Sequence, residues 1–180
     1  MTVARLMEGT ALSRPAFYQY FNDVHDLAET LLSEIEASMQ QKANRWIVGE
    51  GEPVAALHEA LAGVISSCVE HGPVIRAIAE AAPLDARLEK AWGAFMGRWN
   101  DAVEARIRVQ QQEGIISKPL DARQTAKALN ALDAAFLLAE FGRRPQSDPV
   151  IALETLHEIW VGALYGQSPK QIQGSRHSES

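Results

Sequence analysis

The 180-residue chain contains one cysteine, Cys68, which excludes an intrachain disulfide. A lone cysteine is typical of a protein that works in a reducing compartment. No apolar run approaches the ~20 residues that a membrane-spanning helix requires, and the N-terminus lacks the charged-then-apolar layout of a signal peptide. These absences predict a cytoplasmic protein with no membrane partner.

The sequence is also short of positive charge. Its 17 Lys and Arg residues are outnumbered by 23 Asp and Glu residues, so the formal net charge is −6. This balance disfavours indiscriminate binding to nucleic acid or anionic membranes, although a local basic surface can still read DNA. β-branched runs and period-two alternation are scarce, and apolar residues instead recur at helical spacing. The predicted fold class is therefore all-α, with about eight helices.

The first half of the chain is predicted to form five of these helices. Two short ones end near Glu8 and Phe21, and a long amphipathic helix begins at Val24 and breaks at residues 49–53. Because glycine followed by proline usually ends a helix, the next helix is expected to stop at Gly72-Pro73. A short helix is then expected up to Pro83.

Three helices are predicted in the second half. The longest ends at Gly114, in the position of a C′ glycine. Asp121 with Gln124 resembles a capping box, and Asp148-Pro149 pairs an N-cap with a proline at the first helical position. Residues 167–180 are polar and are expected to be a disordered tail.

The N-terminal stretch Thr10–Phe21, TALSRPAFYQYF, predicts a turn, an N-cap and a short aromatic helix. A helix-turn-helix places such a helix in the major groove, where arginine reads guanine edges and tyrosine hydroxyls suit phosphate oxygens. A capped helix that only anchors itself to the core is the alternative reading of the chemistry. The candidate DNA contacts within this helix are Ser13, Arg14, Ala16, Tyr18 and Tyr20.

Thr2-Val3 and the segment Leu12–Phe21 closely resemble the helix 2–turn–helix 3 signature of TetR-family transcriptional regulators. In that family a short DNA-binding domain of three helices precedes a larger helical domain for ligand binding and dimerisation. The resemblance implies a DNA-binding domain at residues 1–23 and a ligand-binding and dimerisation domain at residues 24–166. It adds Thr2 and His25 to the candidate DNA contacts, His25 as a pH-dependent substitute for a phosphate-contacting lysine of the family.

The segments Ala94–Trp99, Ala128–Asn130 and Leu153–Val161 are similar to the EthR-like subgroup of this family. That resemblance implies an elongated, mostly apolar tunnel for a small, largely apolar effector. The implied ligand-binding residues are Trp92, Phe95, Met96, Trp99, Asn130, Asp133, Phe136, Leu137 and Trp160. For each aromatic residue, ordinary core packing is the alternative.

Asn130 and Asp133 are the predicted polar anchors of the tunnel, because they lie three residues apart on one helix face. Asp133 stands where the subgroup has a second Asn, so a charged or hydrogen-donating ligand group is expected near it. The family also implies a homodimer through the last two helices. The residues expected to supply its surface are Ala126, Ala134, Ala135, Ala139, Leu153, Leu156 and Val161.

Three departures from the family pattern bear on DNA binding. The family's first helix should precede Thr2, so the helix-turn-helix domain is expected to be partial. Ala11 replaces a turn glycine, and Val24 replaces the phosphate-contacting lysine. The predicted function is a ligand-responsive repressor that binds palindromic operator DNA as a dimer. The alternative is a ligand-binding helical dimer without productive DNA binding.

Catalysis and metal binding find little support in the sequence. Glu154-x-x-His157 has the spacing of di-iron bundles, but a second such motif is missing. His58 and His71 are isolated, and Cys68 is interpreted as a small core residue. Since a phosphate-binding glycine loop and a nucleophile elbow are also missing, no enzyme, metal site or cofactor is predicted.

Overall fold

The structure, a computed structural model, describes residues 24–116 and 119–166. Five α-helices are present: α1 (Val24–Val48), α2 (Pro53–Ala81), α3 (Ala86–Gln112), α4 (Ala122–Phe141) and α5 (Pro149–Leu164). A short 3₁₀ turn, Ala82–Leu84, joins α2 to α3. These ranges contain no strand, so the all-α prediction is confirmed. The predictions for residues 1–23, including the recognition helix, and for the tail at 167–180 lie outside the described residues.

Carboxylate side chains begin four of these helices. As predicted, Asp121 accepts a hydrogen bond from the Gln124 backbone N–H at 2.9 Å, and Asp148 accepts one from Val150 at 2.8 Å. Glu52 caps α2, and Asp85 caps α3, in the same way. Because the first N–H groups of a helix have no intrahelical partner, these caps fix where each helix starts.

The predicted helix end at Gly72-Pro73 is wrong, because α2 continues through both residues to Ala81. Proline has no N–H, so the carbonyl of Val69 loses its intrahelical donor. The side chain of Gln146 replaces that donor: its Nε2 lies 3.0 Å from the Val69 oxygen and 2.9 Å from the Phe141 oxygen. A distant amide therefore compensates for the proline and ties α2 to the end of α4.

Helix α2 is the centre of the bundle and packs against each of the other four helices. Its buried residues include Leu57, Leu61, Ile65 and Ile78, which join one apolar core with residues from all five helices. None of the helices in the described ranges is long and apolar enough to cross a membrane. A cavity lies inside the core formed by the described helices, next to α2.

Candidate ligand-binding cavity

A cavity of about 100 Å³ lies within the bundle, and all five helices contribute to its wall. It is lined almost entirely by apolar side chains, and the chain's four tryptophans all take part. The tryptophans are Trp46 from α1, Trp92 and Trp99 from α3, and Trp160 from α5. A mostly apolar cavity with a few polar groups is the usual form of a small-molecule site.

Eight of the nine predicted ligand-binding residues line this cavity: Trp92, Phe95, Met96, Trp99, Asn130, Asp133, Leu137 and Trp160. The exception is Phe136, which is half-buried and packs against the core without lining the cavity. On α4 the lining positions follow one face, through Asn130, Ala134 and Leu137, and Phe136 lies to the side of that face. That these residues bind a ligand stays a prediction.

Several lining residues were not anticipated from the sequence. Helix α1 supplies Met39, Ala43 and Trp46, and α2 supplies Cys68 and Ile75 among others. In the sequence, these residues are recognisable only as members of the apolar faces of amphipathic helices. An apolar stripe indicates that a side chain is buried, but it does not distinguish a packed position from a cavity wall.

Among the described residues that line the cavity, Asp133 is the one acidic side chain, and none is Lys, Arg or His. The indole Nε1 of Trp160 donates to its Oδ1 at 3.0 Å. Burial raises the pKa of Asp133 to about 7, and the hydrogen bond from Trp160 offsets only part of this effect. The ring of Trp160 in turn meets Trp46 edge-on, with centroids 5.8 Å apart. The carboxyl is thus held in place by an aromatic wall rather than by a positive charge.

The other polar groups of the wall are Asn130 and Cys68. The Nδ2 of Asn130 donates to Oδ1 of Asn100 at 2.9 Å, which orients the amide on α4. Burial, together with the nearby Asp133 carboxyl, raises the pKa of the Cys68 thiol to about 12. Cys68 therefore stays a neutral thiol at physiological pH, as expected for a core cysteine.

A chain of hydrogen bonds behind Trp46 joins three helices next to the cavity. The Nε1 of Trp46 donates to the Tyr165 hydroxyl at 3.3 Å, and that hydroxyl donates to Oε1 of Gln110 at 3.0 Å. Trp46 is thereby fixed from two sides, by Tyr165 and by the ring of Trp160. Since Trp46 belongs to α1, these contacts hold the last part of that helix against the cavity wall.

Of the predicted DNA contacts, His25 is the one that the described ranges contain. Its Nε2 lies 2.6 Å from Oδ2 of Asp85, the cap of α3. The hydrogen bond from His25, followed by those from the α3 backbone, lowers the pKa of Asp85. The start of α1 is therefore joined to the start of α3, and His25 is engaged there by a carboxylate.

The interpretation of His58 as isolated is wrong. Its ring meets that of His157 edge-on with centroids 4.9 Å apart, and its Nε2 lies 3.5 Å from Oε1 of Glu154. The Nε2 of His157 also lies 3.3 Å from the Val54 carbonyl oxygen. These contacts join the start of α2 to α5. Within residues 24–116 and 119–166, no three His, Cys, Asp or Glu side chains are arranged to hold a metal ion.

The structure corrects part of the prediction of which residues form the dimer surface. Ala126 and Leu156 are completely buried inside the protomer, and Ala134 lines the cavity. Of the other expected residues, Ala135 and Ala139 are exposed, whereas Leu153 and Val161 are half-buried against the core. The further exposed apolar side chains are Ala128, Ala131 and Leu132 on α4, and Val150, Ile151 and Ile159 on α5.

Comparison with known proteins identifies the family. The family described as "Transcriptional regulator EthR, C-terminal domain" matches residues 57–166, more than half of the chain. The HTH-type transcriptional regulator EthR of Mycobacterium tuberculosis (strain ATCC 25618 / H37Rv) is 27% identical over 171 residues, which span 93% of this chain and 79% of that protein. EthR of Mycolicibacterium smegmatis (strain ATCC 700084 / mc(2)155) is 24% identical over 174 residues, 94% of this chain and 79% of that protein. The chain therefore belongs to the EthR-like regulators of the TetR family of transcriptional regulators.

Proposed function

We propose that this protein is a ligand-responsive repressor that binds palindromic operator DNA as a dimer and is released by a small, largely apolar effector. The observation that carries the proposal is the apolar cavity with all four tryptophans and two polar anchors in its wall. Side chains that line a cavity lack protein partner atoms on one side, so a fold that keeps such a space forgoes packing energy. Binding of a ligand in the cavity would explain why the fold tolerates this loss of packing energy.

Helix α1 offers the route from the cavity to DNA. It lines the cavity with Met39, Ala43 and Trp46, and its first residue, Val24, directly follows the predicted DNA-binding domain at residues 1–23. An effector that contacts these residues favours one position of α1 over another. The dimer is then an equilibrium between two states that differ in the distance between their two DNA-binding domains. The effector shifts this equilibrium away from the state that fits the operator, and the size of the shift is set by the ratio of its affinities for the two states.

The proposed dimer uses the exposed apolar side chains of α4 and α5. Ile151 is 67% exposed, and Leu132 and Ile159 are 37% and 39% exposed. Exposed apolar residues that recur along one face of two neighbouring helices favour burial against a partner. A second copy of the same surface gives an isologous dimer, and its two-fold symmetry matches a palindromic operator.

Replacing Ile151 with glutamate is expected to weaken the dimer at least tenfold, because the interface would bury an unpaired carboxylate. Sedimentation velocity over a range of protein concentrations measures the monomer–dimer equilibrium. Leu84→Glu is the matched control: Leu84 is 88% exposed on the 3₁₀ turn, away from α4 and α5, and its replacement should leave the equilibrium unchanged. A wild-type monomer, or equal weakening by both variants, would contradict this interface.

Mobility shift with DNA from upstream of the protein's own gene tests the regulatory function. Protein expressed from its native gene should bind selectively, with an affinity that falls as salt increases. Cyclohexanol, a compact apolar probe, should weaken this complex at concentrations that quench the tryptophan fluorescence of the cavity. Unrelated DNA is the control for selectivity. A complex whose affinity is unchanged when the cavity is saturated would rule out ligand-controlled release.

A ligand-binding dimer without productive DNA binding is the second candidate function. The observation that favours it is the 2.6 Å contact between His25 and Asp85, which occupies the imidazole that was expected to approach a phosphate. Selective DNA binding in the mobility-shift experiment excludes this candidate. Ligand binding without any selective DNA complex would support it.

A further inference from the structure

The cavity places a carboxyl group in surroundings that suit a cation. Asp133 has one hydrogen bond from the described residues, the one that Trp160 donates to Oδ1. Its Oδ2 receives none from residues 24–116 or 119–166, and none of the described residues that line the cavity is basic. A carboxylate among apolar side chains without a positive partner is energetically unfavourable, so Asp133 favours a ligand that carries positive charge.

The aromatic wall adds to this preference. Trp46, Trp92, Trp99 and Trp160 line the same cavity as Asp133, and Trp92 stacks on Phe95 with ring centroids 5.4 Å apart. The face of an indole carries a negative quadrupole that attracts ammonium groups, more strongly where water is excluded. The apolar part of a ligand packs favourably on the same rings. Carboxylate and indoles together therefore favour a molecule that is apolar over most of its surface and positive at one end.

We propose that the effector of this cavity is a compact lipophilic amine, bound as its ammonium ion with an N–H donated to Asp133 and its apolar part packed against the indoles. The proposal rests on the proposed function above, in which the cavity is the effector site, and specifies the chemical class of that effector. A volume of about 100 Å³ is of the same order as engineered cavities that accept a single benzene ring. The cavity thus suits a molecule with one ring or a short branched chain.

Three probes of similar shape separate charge from size: cyclohexylamine, cyclohexanol and cyclohexanecarboxylate. Near pH 8, tryptophan fluorescence and calorimetric titration should give an affinity for the amine at least tenfold higher than for the alcohol. Cyclohexanecarboxylate should bind more weakly than both, since its charge repels Asp133. All four tryptophans line the cavity, so occupancy should change most of the intrinsic tryptophan signal.

Asp133→Asn is the matched variant, because an amide oxygen can still accept the hydrogen bond from Trp160. The preference for the amine over cyclohexanol should disappear in this variant, while cyclohexanol should still bind. Retained alcohol binding shows that the cavity is intact. Loss of the amine preference alone then assigns the preference to the carboxylate.

Lower pH should also weaken binding of the amine to the wild type. Asp133 has a pKa of about 7 in the free protein and must lose its proton before it pairs with an ammonium ion, so affinity should fall roughly tenfold from about pH 8 to about pH 6. From α2, the Cys68 thiol faces Asp133, and its pKa of about 12 keeps it neutral throughout. The cavity residues of α1, α3 and α5 carry no ionisable groups. Asp133→Asn should show no such change.

The outcomes distinguish the inference from the function on which it rests. Tighter binding of cyclohexanol than of cyclohexylamine by the wild type overturns the amine assignment and leaves an effector site for neutral ligands. An amine preference that persists unchanged in Asp133→Asn overturns the role of the carboxylate. Failure of all three probes to bind overturns both the amine assignment and the effector cavity.

Discussion

Gly72→Ala is expected to destabilise the protein by roughly 3 kcal/mol, although alanine ordinarily stabilises the interior of a helix. A β-carbon at position 72 would lie 2.3 Å from the Phe141 carbonyl oxygen and 2.7 Å from its carbon. These are backbone atoms at the end of α4, so α2 and α4 would have to separate. Urea unfolding followed by circular dichroism measures the change in the free energy of unfolding.

Gly93→Ala is the control, because Gly93 also lies within a helix and a β-carbon there meets no atom within 4 Å. This substitution should stabilise the protein by about 0.5–1 kcal/mol through helix propensity alone. The two glycine replacements are thus expected to have opposite signs. Stabilisation by both would show that α2 and α4 do not approach as closely as the structure places them.

Asp133→Asn is expected to stabilise the ligand-free protein by roughly 2–4 kcal/mol near pH 8. The folded-state pKa of Asp133, about 7, lies above its ordinary value of 3.8. Its contribution to stability is therefore fully present below about pH 4 and is lost as the pH rises through about 7. One unit of pKa corresponds to about 1.4 kcal/mol, which sets the upper end of the range. Urea unfolding across this pH window measures the effect.

The pH dependence of the two proteins is the sharper test. Wild type should lose stability relative to Asp133→Asn between about pH 4 and about pH 7, and the difference should be constant above that range. Asp101→Asn removes an exposed carboxylate from α3 and controls for the change in net charge. If Asp133→Asn tracks the wild type at every pH, the carboxyl is not buried in an apolar cavity.

Short sequence signals, such as N-cap residues, were sufficient to predict where most of the helices lie. Asp121 and Asp148 cap the helices they were predicted to cap, because an N-cap is formed within three residues of sequence. Pro73 led to a wrong prediction of a helix end, because the contact that compensates for it is distant in the sequence. A proline normally ends a helix, but here Gln146 supplies the missing hydrogen bond from more than 70 positions away. A single sequence does not show which distant side chain meets an unpaired carbonyl.

The site was predictable only to the extent that the family resemblance supplied it. Trp92, Trp99 and Asp133 were expected in a ligand tunnel on that basis, and they line the cavity. Trp46 was not, because its place in an amphipathic stripe gives no indication of an internal void. The pairing of His58 with His157 was also missed. The two residues are 99 positions apart in the sequence, and only the packing of α2 on α5 brings their rings together.

We propose that the cavity is a ligand site organised around the ionisable carboxyl group of Asp133. Carbon-detected NMR of the Asp133 side chain, recorded against pH with and without saturating cyclohexylamine, tests it most directly. A pKa of about 7 is predicted for the free protein, and a decrease of at least one unit when the amine is bound. An Asp133 pKa close to 4 in the free protein that the amine leaves unchanged would contradict the claim.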